Sequence, residues 1–565
     1  MSFDEYETHK LNTLKKFLES RGNIKIIGAV TQNVEGAIPI ELLNYKYFSS
    51  FRKLHIKAFG STETRKLIKK WFANHPSVDL DGKVEKLLST LLKLNLPRTP
   101  LAISMFLWII EQQENYAPIN NATMLENFIE KLFAKHAKAE IYADKFDFKN
   151  KVRLLSDISY KMLLDDQKDY QISERDLIDF IDDTLKAKKF DFIKPSLMLN
   201  HFLEKGILVE ESDNGIPCVR FRFSCFMHYF LMKQMDYNQD FKKHVLSPDN
   251  LLTFLEEIDL YTGTKRDESD ILSLIVNLME EEYAEINDII DSFPQKHDEV
   301  FESKNSIAAT FDGSFLKKLK EKAKPTQSEL DKMNDHVLDS VIPEAGIAKK
   351  KTELTNREKM ERLWTLAAQV LRNTEETKEK DLKYNSYSSI LRCSMSFSFL
   401  WKMQIDDFIM ENGDKEGFSM DNELKKQIDI LPVIHQMWFR MLLGTSKLSV
   451  VLKEKMLADS NNLDATDFEK FLTIFTYADI RGRDQDKWIR KFINSVKNHH
   501  IMDMTLFKLV SYYFLRSKNK ESDSKYENMI GDVIVKARGQ KKRNKGRIIQ
   551  LYRDRRSKEI SPSQD

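Results

Sequence analysis

A hairpin signal inside an otherwise helical chain sets the strongest limit on the fold. The runs Gly206-Ile-Leu-Val-Glu210 and Cys218-Val-Arg-Phe-Arg-Phe223 flank Asp213-Asn214-Gly215. Asn-Gly tolerates the positive φ of a tight turn, so β-rich runs on either side of it close as a hairpin. Ahead of it, Ser61-Thr62-Glu63 opens a stretch with Leu67, Ile68, Trp71 and Phe72 on one helical face. Apolar spacing predicts further helices over about 82–94, 100–114, 121–138, 148–166, 173–186 and 194–205. Another helix, Phe226 to Met235, leaves the hairpin. Helices that run into a hairpin in this order make a winged helix.

Composition supports a mainly α chain. Its 565 residues hold 36 Phe but only 17 Gly and 13 Pro, so helix breakers are scarce. Collagen-like, low-complexity and wholly disordered classes are excluded, and the length alone suggests three or four domains at about 100–200 residues each. Cys218, Cys225 and Cys393 are too few for a disulfide framework and suit a reducing, cytoplasmic setting. The opening MSFDEYETHK is too polar for a signal peptide. The longest strongly apolar run, Leu101 to Ile110, falls short of the roughly 20 residues of a membrane span, so no membrane association is expected.

Residues 1–20 read as a helix that Gly22 can cap, and Ile24–Val30 reads as a strand. That strand is almost continuously apolar, as buried parallel strands are. Such a strand needs parallel neighbours, and none precedes it. Its sheet is therefore expected to be completed by another chain or by an upstream half. Further on, residues 241–321 read as helical, 322–352 as a linker of mixed Pro, Lys and Asp, and 354–517 as helices without a fixed repeat period.

Residues 24–235 resemble the back half of the nucleotide-binding module of STAND NTPases, the NACHT class in particular. That class comprises ATP-dependent switches and includes prokaryotic antiviral sensors. Leu96-Pro97-Arg98-Thr99-Pro100-Leu101-Ala102-Ile103 is similar to the helical-domain motif whose proline packs on adenine, and Asn120–Glu130 is similar to the helix that follows. The resemblance implies that Pro100 contacts the base. A proline there also suits a helix start, because its missing amide would be unpaired anyway. Phe3-Asp4-Glu5 resembles the end of a Walker B strand, which implies remnant catalytic roles for Asp4 and Glu5, with Met1 where a Mg²⁺-binding Asp belongs. Gln32 stands where the family usually has a phosphate-sensing Arg. Phe223 stands where a phosphate-contacting His is common, and His228 lies five residues on.

The resemblance implies a mainly α architecture: a remnant α/β nucleotide-binding domain (1–60), a helical domain (61–140), a winged helix (141–240), a helical region (241–321), a linker (322–352), an irregular helical sensor (353–530) and a basic tail (531–565). No Gly-x-x-x-x-Gly-Lys-Ser/Thr run occurs, and Leu443-Gly-Thr-Ser-Lys447 lacks the spacing. Successive P-loop amides and the lysine are what cradle phosphates. The chain alone is therefore expected to bind no cofactor. ATP and Mg²⁺ would enter only if a P-loop half were supplied, by a protein partner or a missing upstream segment, and oligomerisation would follow the switch.

Other chemistry is weaker. His499-His500 with Asp503 could suggest a metal cluster, yet adjacent helical side chains diverge by about 100°. Asp165-Asp166 and Glu280-Glu281-Glu282 read as solvated faces. The tail is basic: Gly531 to Lys558 carries eleven Lys and Arg against Asp532 and Asp554, a local +9. Since the whole chain is +2, the remainder is −7. Lys541, Lys542, Arg543, Lys545 and Arg547 could attract phosphate backbones without sequence readout, or form a solvated tail. Three functions stay open: the regulatory portion of a STAND switch, a non-enzymatic helical interaction protein, and a winged-helix or tail-mediated nucleic-acid binder. Glu210, Glu211 and Asp213 in the hairpin count against its binding DNA.

Overall fold

The computed structural model describes residues 59–73, 84, 87–88, 98–112, 120–134, 146–165, 170–213, 216–292, 306–311, 318–319, 321–322, 324–340, 354–412, 431–462, 465–517 and 519–539. The chain is mainly helical, with one small three-stranded sheet among the described residues. It divides into two compact units. The first comprises Met1–Lys242 and Asp331–Lys350, the second Lys243–Leu330 and Lys351–Asp565.

The first unit opens with helices α1 (Ser61–Trp71), α2 (Pro100–Gln112) and α3 (Asn121–Ala134). Next come α4 (Phe148–Leu164), strand β1 (Ile172–Ser173), α5 (Glu174–Ala187) and α6 (Pro195–Glu204). The hairpin of β2 (Leu208–Asp213) and β3 (Ile216–Phe221) leads into α7 (Ser224–Tyr237). Local chemistry sets these boundaries. Asp147 caps α4 by accepting from the Asn150 amide at 2.9 Å. Ser173 caps α5 by accepting from the Asp176 amide at 3.1 Å. Leu177, Ile181 and Leu185 then bury one face of α5. Pro195 begins α6, where a missing amide costs nothing.

Both of these helices end in a left-handed residue. Lys189 takes φ +60°, and Gly206 takes φ +71°. The Gly206 amide donates to Leu203 O and the Ile207 amide to Phe202 O, which pairs the last carbonyls of α6 and turns the chain into β2. In the sheet, antiparallel β3 lies between β1 and β2. Asp213 faces Ile216, so two residues join the hairpin strands. The positions of Asn214 and Gly215 lie outside the described residues.

Helix α7 is the packing centre of this unit. Ten of its fourteen residues are buried, so it is apolar on nearly all sides rather than amphipathic. Phe226 continues a stack of rings through Phe128 to Phe106, joining α7 to α3 and α2. Phe221 of β3 stacks on Phe230 at 5.5 Å. Two polar bonds hold the register: Ser156 Oγ donates to Gln234 Oε1 at 2.9 Å, and Lys233 pairs with Glu126 at 2.8 Å.

α8 (Gln239–Val245) carries the chain out of the first unit. The second unit holds α9 (Leu255–Thr264), α10 (Ser269–Asp291), α12 (Asn356–Asn373), α13 (Lys380–Asn412), α14 (Leu431–Leu443), α15 (Ser449–Asn461), α16 (Asp467–Asp479), α17 (Gln485–Ser495), α18 (His499–Leu515) and α19 (Lys520–Ala537). Between α10 and α12 runs α11 (Gln327–Ser340), inside the stretch whose composition reads as a linker; from Asp331 it belongs to the first unit. Trp364 on α12 is fully buried; its Nε1–H donates to Ile390 O at 3.1 Å. A capping box between Thr355 and Glu358 starts that helix.

The sequence-predicted helix 1–20, the strand Ile24–Val30, Gln32, and the tail beyond residue 539 lie outside the described residues. No described helix is long and apolar enough to cross a membrane.

Candidate functional site

Pro100 directs attention to the N-terminal ends of α1 and α2. The Phe59 amide donates to Arg98 O at 2.8 Å, joining the residues that lead into the two helices. At the other end, Trp71 Nε1–H donates to Glu111 Oε2 at 3.1 Å. Tied at both ends, α1 and α2 run parallel with their N-termini together. Each N-terminus carries backbone amides without helical partners and the positive end of a helix dipole. Pro100 occupies the first helical position of α2 and is exposed. The arrangement places the exposed Pro100 ring at the start of α2, next to the N-terminal end of α1.

Four charged groups crowd the α1 end of this surface. Gly60 is the N-cap, and its amide donates to Glu63 at 3.1 Å. One turn inward, Arg65 makes a forked bond to Asp331 of α11, at 2.8 and 2.9 Å. Asp335, one turn further along α11, accepts from the Ser61 amide. Sequence reasoning missed these acids. Their partners lie 266 and 274 residues away in the chain, and no local spacing marks such a pair.

The other sequence candidates are distributed as follows. Asp4 and Glu5, and Lys541, Lys542, Arg543, Lys545 and Arg547, lie outside the described residues. Phe223 is the N-cap residue of α7, and His228 is half-buried on that helix. Lys447 pairs with Glu375, so the Gly-Thr-Ser-Lys run is a loop closed by an ion pair. Asp503 does not join His499 and His500 as a ligand set. Its two oxygens accept from Ser306 Oγ and the amides of Ile307 and Ala308, at 2.6 to 2.8 Å. In the hairpin, Arg220 pairs with Glu211, and Arg222 Nε donates to Gly206 O at 3.1 Å. Both arginines are thus engaged within the sheet region. The outward side of α6 offers Leu197, Asn200 and Glu204 rather than cations, a poor surface for a phosphate backbone.

Two buried polar centres organise the second unit. Asp479, at the end of α16, accepts from Gln436 at 3.1 Å, Lys508 at 3.0 Å, and Tyr512 and Arg516 at 2.6 Å each. Burial alone would raise its carboxyl, but the facing Lys508 and Arg516 charges outweigh burial and hold it below the usual carboxylate range. His435, on α14, lies between Ser394 and Ser398 of α13 and stacks on Trp364. Ser398 Oγ donates to Ser394 O at 3.1 Å, which leaves it to accept from His435 Nδ1 at 2.9 Å. Nε2 then accepts from the Ser394 hydroxyl. Burial pushes the imidazole down to about 3, so it is neutral. Both nitrogens are committed to serines and neither contacts a carboxylate, so this is a structural centre.

Residues 170–231 match the model of a family described as Novel STAND NTPase 4. The span starts at Tyr170, just ahead of β1, and ends within α7. It covers β1, α5, α6 and the hairpin, and so the whole three-stranded sheet. The match supports a STAND-type NTPase. No curated protein and no solved structure matches the chain.

Proposed function

We propose that the chain is the regulatory and sensor portion of a STAND-type, NACHT-like switch acting in signalling or antiviral defence in the cytoplasm. One observation carries this reading. The family match falls on a strand, two helices and a hairpin that follow α4 in the chain, which together have the order of a winged helix, and a long helical unit comes after them in sequence. The second unit would sense the trigger. Nucleotide would enter only with a P-loop half from another polypeptide or an upstream segment, and Pro100 would then meet the adenine. Asp4 and Glu5 would belong to the Walker B end of that shared site.

The test is reconstitution. A P-loop polypeptide encoded in frame upstream or in a neighbouring reading frame is mixed with this chain, and ATP binding is measured with Mg²⁺ present. The proposal expects binding by the mixture, weakened by Pro100→Ala. If the mixture binds no nucleotide although the partners associate, the chain acts as a helical interaction protein.

A further inference from the structure

The α1 N-terminus is covered by a helix from far along the chain. We propose that α11 is a releasable clasp, whose carboxylates Asp331 and Asp335, one helical turn apart, lock onto Arg65 and the first amides of α1.

Four observations support a clasp over a permanent core element. First, the anchoring made by the described side chains is electrostatic: a forked Arg65–Asp331 pair and a charge-assisted bond from the Ser61 amide to Asp335. Second, α11 starts with its own capping box, since the Thr326 amide and hydroxyl both donate to Glu329 and Thr326 Oγ1 accepts from the Glu329 amide. It can therefore remain helical when undocked. Third, two acids at this spacing repel one another on a free helix. Docking relieves that repulsion by giving each a positive partner, so binding is specific to this face of α1. Fourth, the contact is shaped for close approach. A Cβ on Gly60 would fall 2.6 Å from Asp335 Oδ2, so a side chain there would push the carboxylate back from the helix end.

A contact of this kind weakens when salt screens it, whereas the apolar core around α7 does not. The Arg65 side chain is 22% accessible and that of Asp331 5%, so solvent ions reach the pair from the arginine side. Undocking would uncover the positive end of α1 beside the start of α2. The clasp does not depend on the nucleotide reading, because it is read without any nucleotide.

The experiment is hydrogen exchange on the full chain at low salt and at roughly 0.5 M salt. We expect α11 amides to exchange several-fold faster in high salt, while α4 and α7 are unchanged. Gly60→Ala and Arg65→Asp should each accelerate α11 exchange at low salt, and Arg65→Asp combined with Asp331→Arg should restore protection. The proposal is overturned if α11 opens only together with α4 and α7, if salt leaves its exchange unchanged, or if the charge swap fails to restore protection in a chain that remains folded.

Discussion

The Lys508 ammonium lies 3.0 Å from the Asp479 carboxylate, with side-chain exposures of only 8% and 3%. Taking two such charges out of water is costly, and the structure offsets that cost with Tyr512, Arg516 and Gln436 around the same carboxylate. Removing the acid leaves Lys508 buried without its counter-charge. Asp479→Ala should therefore destabilise the second unit by roughly 3–5 kcal/mol, read as a lower urea midpoint. The pH dependence has a definite sign. Asp479 is held below its unfolded value, so its stabilisation is fully present above about pH 4 and is lost as pH falls through the lowered folded value. Asp479→Asn should remove that part of the acid slope.

His435 gives a separate pH signature. Its folded value is depressed to about 3, against about 6.5 in an unfolded chain. Between those values the unfolded state binds one more proton, so stability falls as pH falls. Lowering the pH from 7 to 5 should cost about 2 kcal/mol through this residue. Urea unfolding of the native chain and of His435→Gln at both pH values checks this. The variant should lose stability overall but show a shallower slope.

Gly206 must sit at φ +71° to close α6 and launch the hairpin. A side chain strains that conformation, so Gly206→Ala should cost about 1–2 kcal/mol. Thermal unfolding reads the loss, and hydrogen exchange should locate it around α6 and β2.

The basic stretch predicts a salt-sensitive contact. Gly531 lies buried inside α19, Lys536 donates to Asn494 O, and Arg538 Nε donates to Ala309 O at 3.1 Å. Those two cations are used in the fold, so the informative truncation ends at residue 540. We expect that chain to lose low-salt binding to nucleic acid, measured by fluorescence anisotropy, while Arg220→Ala leaves binding unchanged. Equal binding by the truncated and full chains would remove the tail from the account.

Most of the helical framework was legible because its signals are local. Asp147, Ser173 and Pro195 mark helix starts, and the apolar face of α5 repeats at helical spacing. The hairpin was legible from Asn214-Gly215 and its β-rich flanks. Strand β1 was not, because Ile172–Ser173 is too short to alternate and is a strand only through β3. Helix α11 was hidden by acidic, proline-flanked composition that reads as linker. Its partner Arg65 lies 266 residues from Asp331, beyond any sequence period. Of the candidate site, the described residues place Pro100 at a helix start, whereas the charged groups facing that end were invisible in sequence.

We propose that this chain is part of a STAND-type switch and holds nucleotide only together with a P-loop partner. Isothermal titration of the purified chain with ATP and Mg²⁺ tests it most directly. No saturable heat of binding is expected from the chain alone. Saturable binding with a micromolar dissociation constant would contradict it, because the chain would then supply a phosphate cradle of its own.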